Sequence, residues 1–206
     1  VNIIHDSSKN LLALLNDILD LSKIETGKMY VAKRNCNLQE LLDSIGTMFG
    51  NSSQARELDF RIIPCAPLPP VIHADPMRIQ QCLVNLIGNA LKFTHQGHVY
   101  VRILFEENHL KFEVEDTGVG IPQALHEVIF EAFAQADDST GRDYGGNGLG
   151  LTITRQLARL MGGDVILKSE VGQGSTFTLD IPVNMSNTDT QQTFQDAGIA
   201  DHETGV

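Results

Sequence analysis

The chain has 206 residues, 42% of them apolar, and a formal net charge of −11. That length can bury one substantial core plus an appended helix, and the acidic balance, uninterrupted by any basic stripe, argues against a nucleic-acid partner. Cys36, Cys65 and Cys82 fall at unpatterned spacing and the seven histidines show no ligand spacing, so reduced thiols and no structural metal are expected.

In chain order, residues 1–28 place apolar side chains at Leu11, Leu15, Ile18 and Leu21, a stripe suited to a helical bundle. Val31 to Leu38 leads into a predicted helix over Gln39–Gln54, followed by a strand near Leu58–Ile63. Pro64, Pro67, Pro69 and Pro70 mark a rigid loop. Asp75 followed by Pro76 reads as a helix cap and first-turn proline. Ile79, Leu83, Leu86, Ile87 and Ala90 then recur at helical spacing and should face a core. Asn85 and Asn89 are four apart and share a face, with Lys92 about one turn further on. An amide oxygen is a hard, neutral ligand suited to a Mg²⁺ ion that also holds waters and phosphate oxygens. Two asparagines on a solvated helix face are the plainer reading of that spacing.

Strands near His98–Glu106 and Leu110–Glu115 form a predicted hairpin through Glu107-Asn108-His109. The second strand exits into Asp116-Thr117-Gly118-Val119-Gly120, which places a carboxylate beside a compact turn, where it can accept a hydrogen bond from an exocyclic amine. Further on, Gly146, Gly148 and Gly150 open directly into an apolar-periodic helix, Leu151–Met161, that stops at Gly162-Gly163. Glycine permits close backbone approach, and the free N–H groups of a helix start attract anions, so this turn suits phosphate. It is neither a Rossmann fingerprint nor a Walker A loop: no strand leads into it and no Gly-Lys-Ser/Thr follows. Asp164–Ser169 and Ser175–Pro182 make a last hairpin, and residues 184–206 read as a linker or disordered tail with no Lys or Arg.

These segments together resemble the sensor histidine kinases. Asn85 to Thr94 is similar to their N box, Asp116 to Pro122 to the G1 box, and Phe130-Glu131-Ala132-Phe133 to the F box. Gly146 to Leu151 resembles the G2 box, and Gly172 to Phe177 the final glycine-rich element. All five stand in the family's order, and the likeness covers roughly Val1 to Pro182. It implies an α/β fold, the two-layer α/β sandwich with a mixed sheet of the gyrase, Hsp90, histidine kinase and MutL superfamily, preceded by an N-terminal helix.

By that resemblance residues 1–28 are the second helix of a dimerisation and histidine-phosphotransfer hairpin, and residues 29–183 are a catalytic domain that binds ATP with Mg²⁺. Asp116 would recognise the adenine amine, with Gly118 and Gly120 shaping the turn. Asn89 would ligate Mg²⁺. Asn85, Lys92 and Arg142 would serve the transferred phosphoryl group, and Gly146, Gly148, Leu149 and Gly150 would face the phosphates. Residues 134–147 would be a lid, with Tyr144 a further nucleotide contact. The lid departs from the family's usual Ser-Thr-Thr-Arg-Lys-Tyr-Gly-Gly-Thr-Gly at Gly141, Asp143 and Asn147.

His5 is not the expected phosphoacceptor: Lys9 stands four residues after it, where the family has a basic residue three after, and no proline follows Asn10. The chain is therefore expected not to autophosphorylate. It would act on a histidine-bearing domain, with a response-regulator receiver downstream and homodimer formation only through a complete hairpin. No apolar run is long enough to span a membrane and no secretory signal opens the chain, so a cytoplasmic location is expected, with a membrane sensor possible in a longer protein. Two other readings stay open: an ATP hydrolase of the same superfamily, against which Asn85 speaks because an amide cannot act as a base, and a degenerate signalling module that binds no nucleotide.

Overall fold

Helix α3, Pro76–Phe93, is the element around which the others are arranged, and its start is set chemically. The Asp75 Oδ1 accepts from the backbone N–H groups of Met77 (3.1 Å) and Arg78 (3.2 Å), while Oδ2 accepts from Ala32 N–H at 2.9 Å. One buried carboxylate thus caps the helix and ties down the segment that follows the N-terminal helix. Along α3, Ile79, Cys82, Leu83, Leu86, Ile87, Ala90 and Leu91 are buried, as the spacing predicts.

The computed structural model describes residues 2–54, 57–134 and 147–185. Their elements are α1 (Asn2–Glu25), β1 (Arg34–Asn37), α2 (Leu38–Gln54), β2 (Asp59–Pro64) and β3 (Val71–Ala74). After α3 come β4 (His98–Glu106), β5 (His109–Asp116), two short 3-10 turns (Gln123–Leu125 and Val128–Phe130), α4 (Gly150–Leu160), β6 (Asp164–Glu170), β7 (Gly174–Pro182) and β8 (Asn184–Met185).

A five-stranded sheet runs in the order β2-β4-β5-β7-β6, parallel between β2 and β4 and antiparallel elsewhere. It is a mixed sheet, and α2, α3 and α4 pack on it to make the second layer of an α/β sandwich. Strands β4 and β5 alternate strictly in burial: Val99, Val101, Ile103, Leu110, Phe112 and Val114 face the helices, and Tyr100, Arg102, Glu113 and Glu115 face outward. Their hairpin turns on Glu107 and Asn108 alone, with φ of 52° and 63°, the double positive φ that matches strand twist in a two-residue loop. His109, expected in the turn, is the first residue of β5 instead.

A second, three-stranded sheet in the order β1-β3-β8 was not legible in the sequence. The four residues of β3 follow a proline-rich stretch and are too few to show a period. They are held by pairing, with Cys36 opposite Ile72 and Ile72 opposite Met185. Strand β8 also corrects the expected tail: Asn184 and Met185, placed there because two residues carry no periodicity, leave β7 and pair with β3. Helix α4 ends as expected, with Gly162 at φ 93° and Gly163 N–H donating to the Ala158 carbonyl at 2.9 Å. His5 falls within α1.

Because Asp75 is nearly fully buried and Met77 beside it is 68% exposed, the two positions separate capping from helix propensity. Asp75→Ala should lower the unfolding free energy in urea by about 1–2 kcal/mol. Met77→Ala should change it by less than about 0.5 kcal/mol. Equal effects would remove the cap from the account of this helix.

Candidate functional site

The C-terminal half of α3, the exit of β5 and the first turn of α4 meet at one end of the helical layer. Two close approaches bring them together. At the α3–α4 contact, Gly150 lies so near the Asn85 carboxamide that a Cβ there would collide with Oδ1. At the α3–β5 contact, a Cβ on Gly118 would stand 2.5 Å from the Phe93 carbonyl oxygen. Glycine is required at both positions by space rather than by backbone angle.

Asp116 is 6% exposed, and its Oδ1 accepts from Gly118 N–H at 2.8 Å. Burial pushes its pKa above the ordinary aspartate value, against the smaller opposing effect of backbone hydrogen bonds from Gly118 and Ser175. Gly120 has φ 69° and no room for a Cβ against the Glu170 carbonyl, which locks the turn onto the β6–β7 end of the sheet.

The first turn of α4 carries no side-chain cap, and its first intrahelical bond is Ile153 N–H to the Leu149 carbonyl at 2.9 Å. The N–H groups of Gly150, Leu151 and Thr152 therefore have no acceptor within the helix. Gly148, with φ 67°, offers its carbonyl to Phe133 N–H at 3.1 Å, so the F-box segment closes onto the glycine turn. Leu149 is fully buried and can present only its backbone to a ligand.

Asn85 and Asn89 share a face of α3 but differ in environment. The Asn85 Nδ2 donates to Thr154 Oγ1 at 2.8 Å, whereas Asn89 makes no side-chain hydrogen bond to any described residue. Lys92, one turn on, is half-buried with its Nζ 4.7 Å from the Phe93 ring centroid, and burial lowers its pKa. Arg142, Tyr144 and Gly146, together with the lid departures Gly141 and Asp143, lie outside the described residues.

Three contacts escaped the sequence reading. Thr154 meets Asn85, and the only trace of that partnership is its position four residues after Gly150 on the helix. Asn147 Nδ2 donates to Asp17 Oδ2 at 2.5 Å, and Gln81 Nε2 to Asp20 Oδ2 at 2.9 Å, so α1 is docked on both the glycine turn and α3. Nothing in local pattern could announce pairs 130 and 61 residues apart. Open cavities of about 560 Å³, at Glu106, His109 and Asp180, and about 650 Å³, at Gln123, His126 and Lys168, lie apart from Asp116 and the asparagines.

The donor set fits a nucleotide with Mg²⁺. An uncapped helix start supplies N–H groups to phosphate, a buried carboxylate supplies an acceptor to an amine, and Asn89 keeps a hard amide oxygen. Among the described residues no three His, Cys, Asp or Glu side chains cluster, so a divalent ion would find amide and phosphate oxygens and no carboxylate cage.

Residues 74–185 match the family described as histidine kinase-, DNA gyrase B- and HSP90-like ATPase. The chain belongs to that family. Among its relatives in this ATPase family, hybrid signal transduction histidine kinase B of Dictyostelium discoideum is 39% identical over 205 residues, 97% of this chain and 10% of the relative. The circadian input-output histidine kinase CikA of Synechococcus elongatus is 43% identical over 184 residues, 88% of this chain and 24% of the relative. The chain thus spans a quarter or less of the length of these relatives. Full-length ShkA, solved in complex with AMPPNP, superimposes with a TM-score of 0.81 at 31% identity, over 90% of this chain and 38% of that one. The catalytic domain of the histidine kinase ThkA gives 0.64 at 27% identity, over 73% and 95%.

The raised pKa of Asp116 has a definite sign for folding. Its protonated form favours the folded state, a contribution fully present below the unfolded aspartate value of 3.8 and lost as pH rises through the higher native value. Carbon-13 NMR titration of the Asp116 carboxyl should give a midpoint above 3.8, and a midpoint at or below it would contradict burial as the dominant influence.

Proposed function

We propose that this chain is the ATP-handling part of a sensor histidine kinase, which binds Mg-ATP and transfers the γ-phosphoryl group to a histidine in two-component signalling. The observation that carries it is the uncapped first turn of α4 held against Asn85, within a chain of the histidine kinase-like ATPase family.

On this reading the Asp116 carboxylate accepts from the adenine amine, in a turn whose shape Gly118 and Gly120 require. The N–H groups at the start of α4 bind the phosphates, and Lys92 adds positive charge near the transferred group. Asn89 would hold Mg²⁺, which supplies neutralisation of the phosphate oxygens. Arg142, Tyr144 and Gly146 complete the set by resemblance. With a net charge of −11, an anionic substrate must be held by local features, and the backbone dipoles at a helix start act within a turn of the site.

Transfer is favoured over hydrolysis by Asn85. A water-activating residue must accept a proton, and this carboxamide instead donates one hydrogen bond to Thr154. The acceptor is a histidine on a separate dimerisation domain, in the same or a partner subunit. The exposed Leu11, Leu12, Leu15, Ile18 and Leu19 on α1 are the surface through which a complete hairpin would associate. A receiver domain downstream is the expected next acceptor, and some relatives are named hybrid or sensor kinases. No helix among the described residues is long and apolar enough to cross a membrane.

Calorimetric titration with a non-hydrolysable ATP analogue should show binding that strengthens with Mg²⁺; a folded chain that binds nothing would turn the reading toward a degenerate signalling module. Asn89→Ala should remove the Mg²⁺ enhancement, and an unchanged Mg²⁺ response would exclude Asn89 as the ligand. Asp116→Asn should weaken ATP more than GTP, because it replaces an all-acceptor group with a mixed one; equal losses would argue against an adenine contact. Incubated with γ-labelled ATP, the chain alone should retain no label, while an added histidine-bearing dimerisation domain should acquire it.

A further inference from the structure

Asn85 has a carboxamide with two chemically opposite ends, and which end faces the glycine turn decides what it can offer there. The choice is made by a residue outside every motif described above. Thr154, about one turn into α4 on its buried side and 2% exposed, donates its hydroxyl proton to the Gly150 carbonyl at 2.9 Å. A threonine hydroxyl has one proton, so once that is committed the oxygen can only accept. Its second partner is the Asn85 side chain at 2.8 Å, and only the Nδ2 end can donate to it. The Oδ1 end is then turned to the backbone of Gly150, where it is the nearest atom to the space a Cβ would fill. Bonding of this kind is not automatic for a threonine on this helix: Thr152 Oγ1, two residues earlier and also buried, has no hydrogen-bond partner among the described residues.

We propose that Thr154 is a positioning residue that fixes the Asn85 carboxamide with its oxygen toward the first turn of α4, so that the site presents an acceptor rather than an NH₂ group to a nucleotide-bound divalent cation. The inference rests on the Mg-ATP reading above. Removing the hydroxyl frees the amide to rotate. The NH₂ end would then compete for the glycine turn, and a donor there repels a cation while remaining compatible with phosphate. The loss should therefore fall on Mg²⁺-dependent binding, not on nucleotide binding as such. Residues that orient a ligand to a metal typically contribute about 10- to 100-fold to its affinity when removed.

The test is titration calorimetry with the non-hydrolysable ATP analogue, in Mg²⁺ and in EDTA, alongside thermal melts. It compares the wild-type chain with Thr154→Val, Thr154→Ser, Asn85→Ala and the Thr154→Val/Asn85→Ala double variant. Thr154→Val should weaken binding in Mg²⁺ by about ten-fold or more, with little change in EDTA. Thr154→Ser should restore the Mg²⁺ response, and Thr154→Val should add nothing in the Asn85→Ala background. An unaltered Mg²⁺ response in a folded Thr154→Val chain, equal losses in Mg²⁺ and EDTA, or additive effects in the double variant would each overturn the proposal. If valine prevents folding, Thr154→Ala removes the same hydroxyl without bulk and is compared with serine in the same way. A folded wild-type chain that binds no nucleotide would overturn the Mg-ATP reading itself, an outcome distinct from wild-type binding with an indifferent Thr154.

Discussion

The approach of α4 to α3 at Gly150 is the constraint on which the site depends. Two helices can bring a helix start against a carboxamide only where no side chain intervenes, and Gly150 is the residue that clears the space. With that contact made, Asn85 and Thr154 join the helices by a hydrogen bond, and the glycine turn is held at the end of α3 that also carries Asn89 and Lys92. The same helix meets the β5 exit through Gly118. A single rigid α3, capped by Asp75, therefore sets the spacing between the buried Asp116 carboxylate and the uncapped first turn of α4.

The sheet beneath provides rigidity at a place where polar groups must be held against their preference. Asp116 is the last residue of β5 and is paired across to Val99 on β4 and Ser175 on β7, so its backbone is fixed on both sides. That fixation is what keeps an ionisable carboxylate buried, with a pKa above its ordinary value, instead of letting it swing into water. An ordered, partly desolvated acceptor gives a specific hydrogen bond to a ligand, and its unfavourable burial is offset by the surrounding apolar core of Val114, Phe112 and Phe177.

Helix α1 has two faces with different uses. Leu14, Asp17, Leu21 and Ile24 turn inward, and Asp17 and Asp20 reach Asn147 and Gln81. Leu11, Leu15, Ile18 and Leu19 remain exposed on the other side. The inner face places an acidic side chain directly on the residue before Gly148, at one of the positions where the lid sequence differs from the family's usual pattern. The helix that would carry a dimer interface is thus in physical contact with the glycine turn.

Local patterning sufficed for the elements with a clear period or a strong terminator. The Asp75-Pro76 start, the apolar face of α3, the alternation of β4 and β5, and the Gly162-Gly163 stop are each properties of a few neighbouring residues, and all stand where the sequence placed them within a residue or two. Local chemistry alone left Asn85, Asn89, Asp116 and the glycines with plainer readings as a solvated helix face and ordinary turns, and it was their joint order along the chain, as a family resemblance, that singled them out. What the sequence could not contain was long-range pairing: β3 and β8 are strands only because they find each other and β1, and two or four residues have no period to read. Nor could it show that Asn85 is oriented by Thr154, or that Asp17 lies on Asn147. Those facts depend on which helix faces pack together, and packing is decided by the shape of the whole core, not by any segment within it.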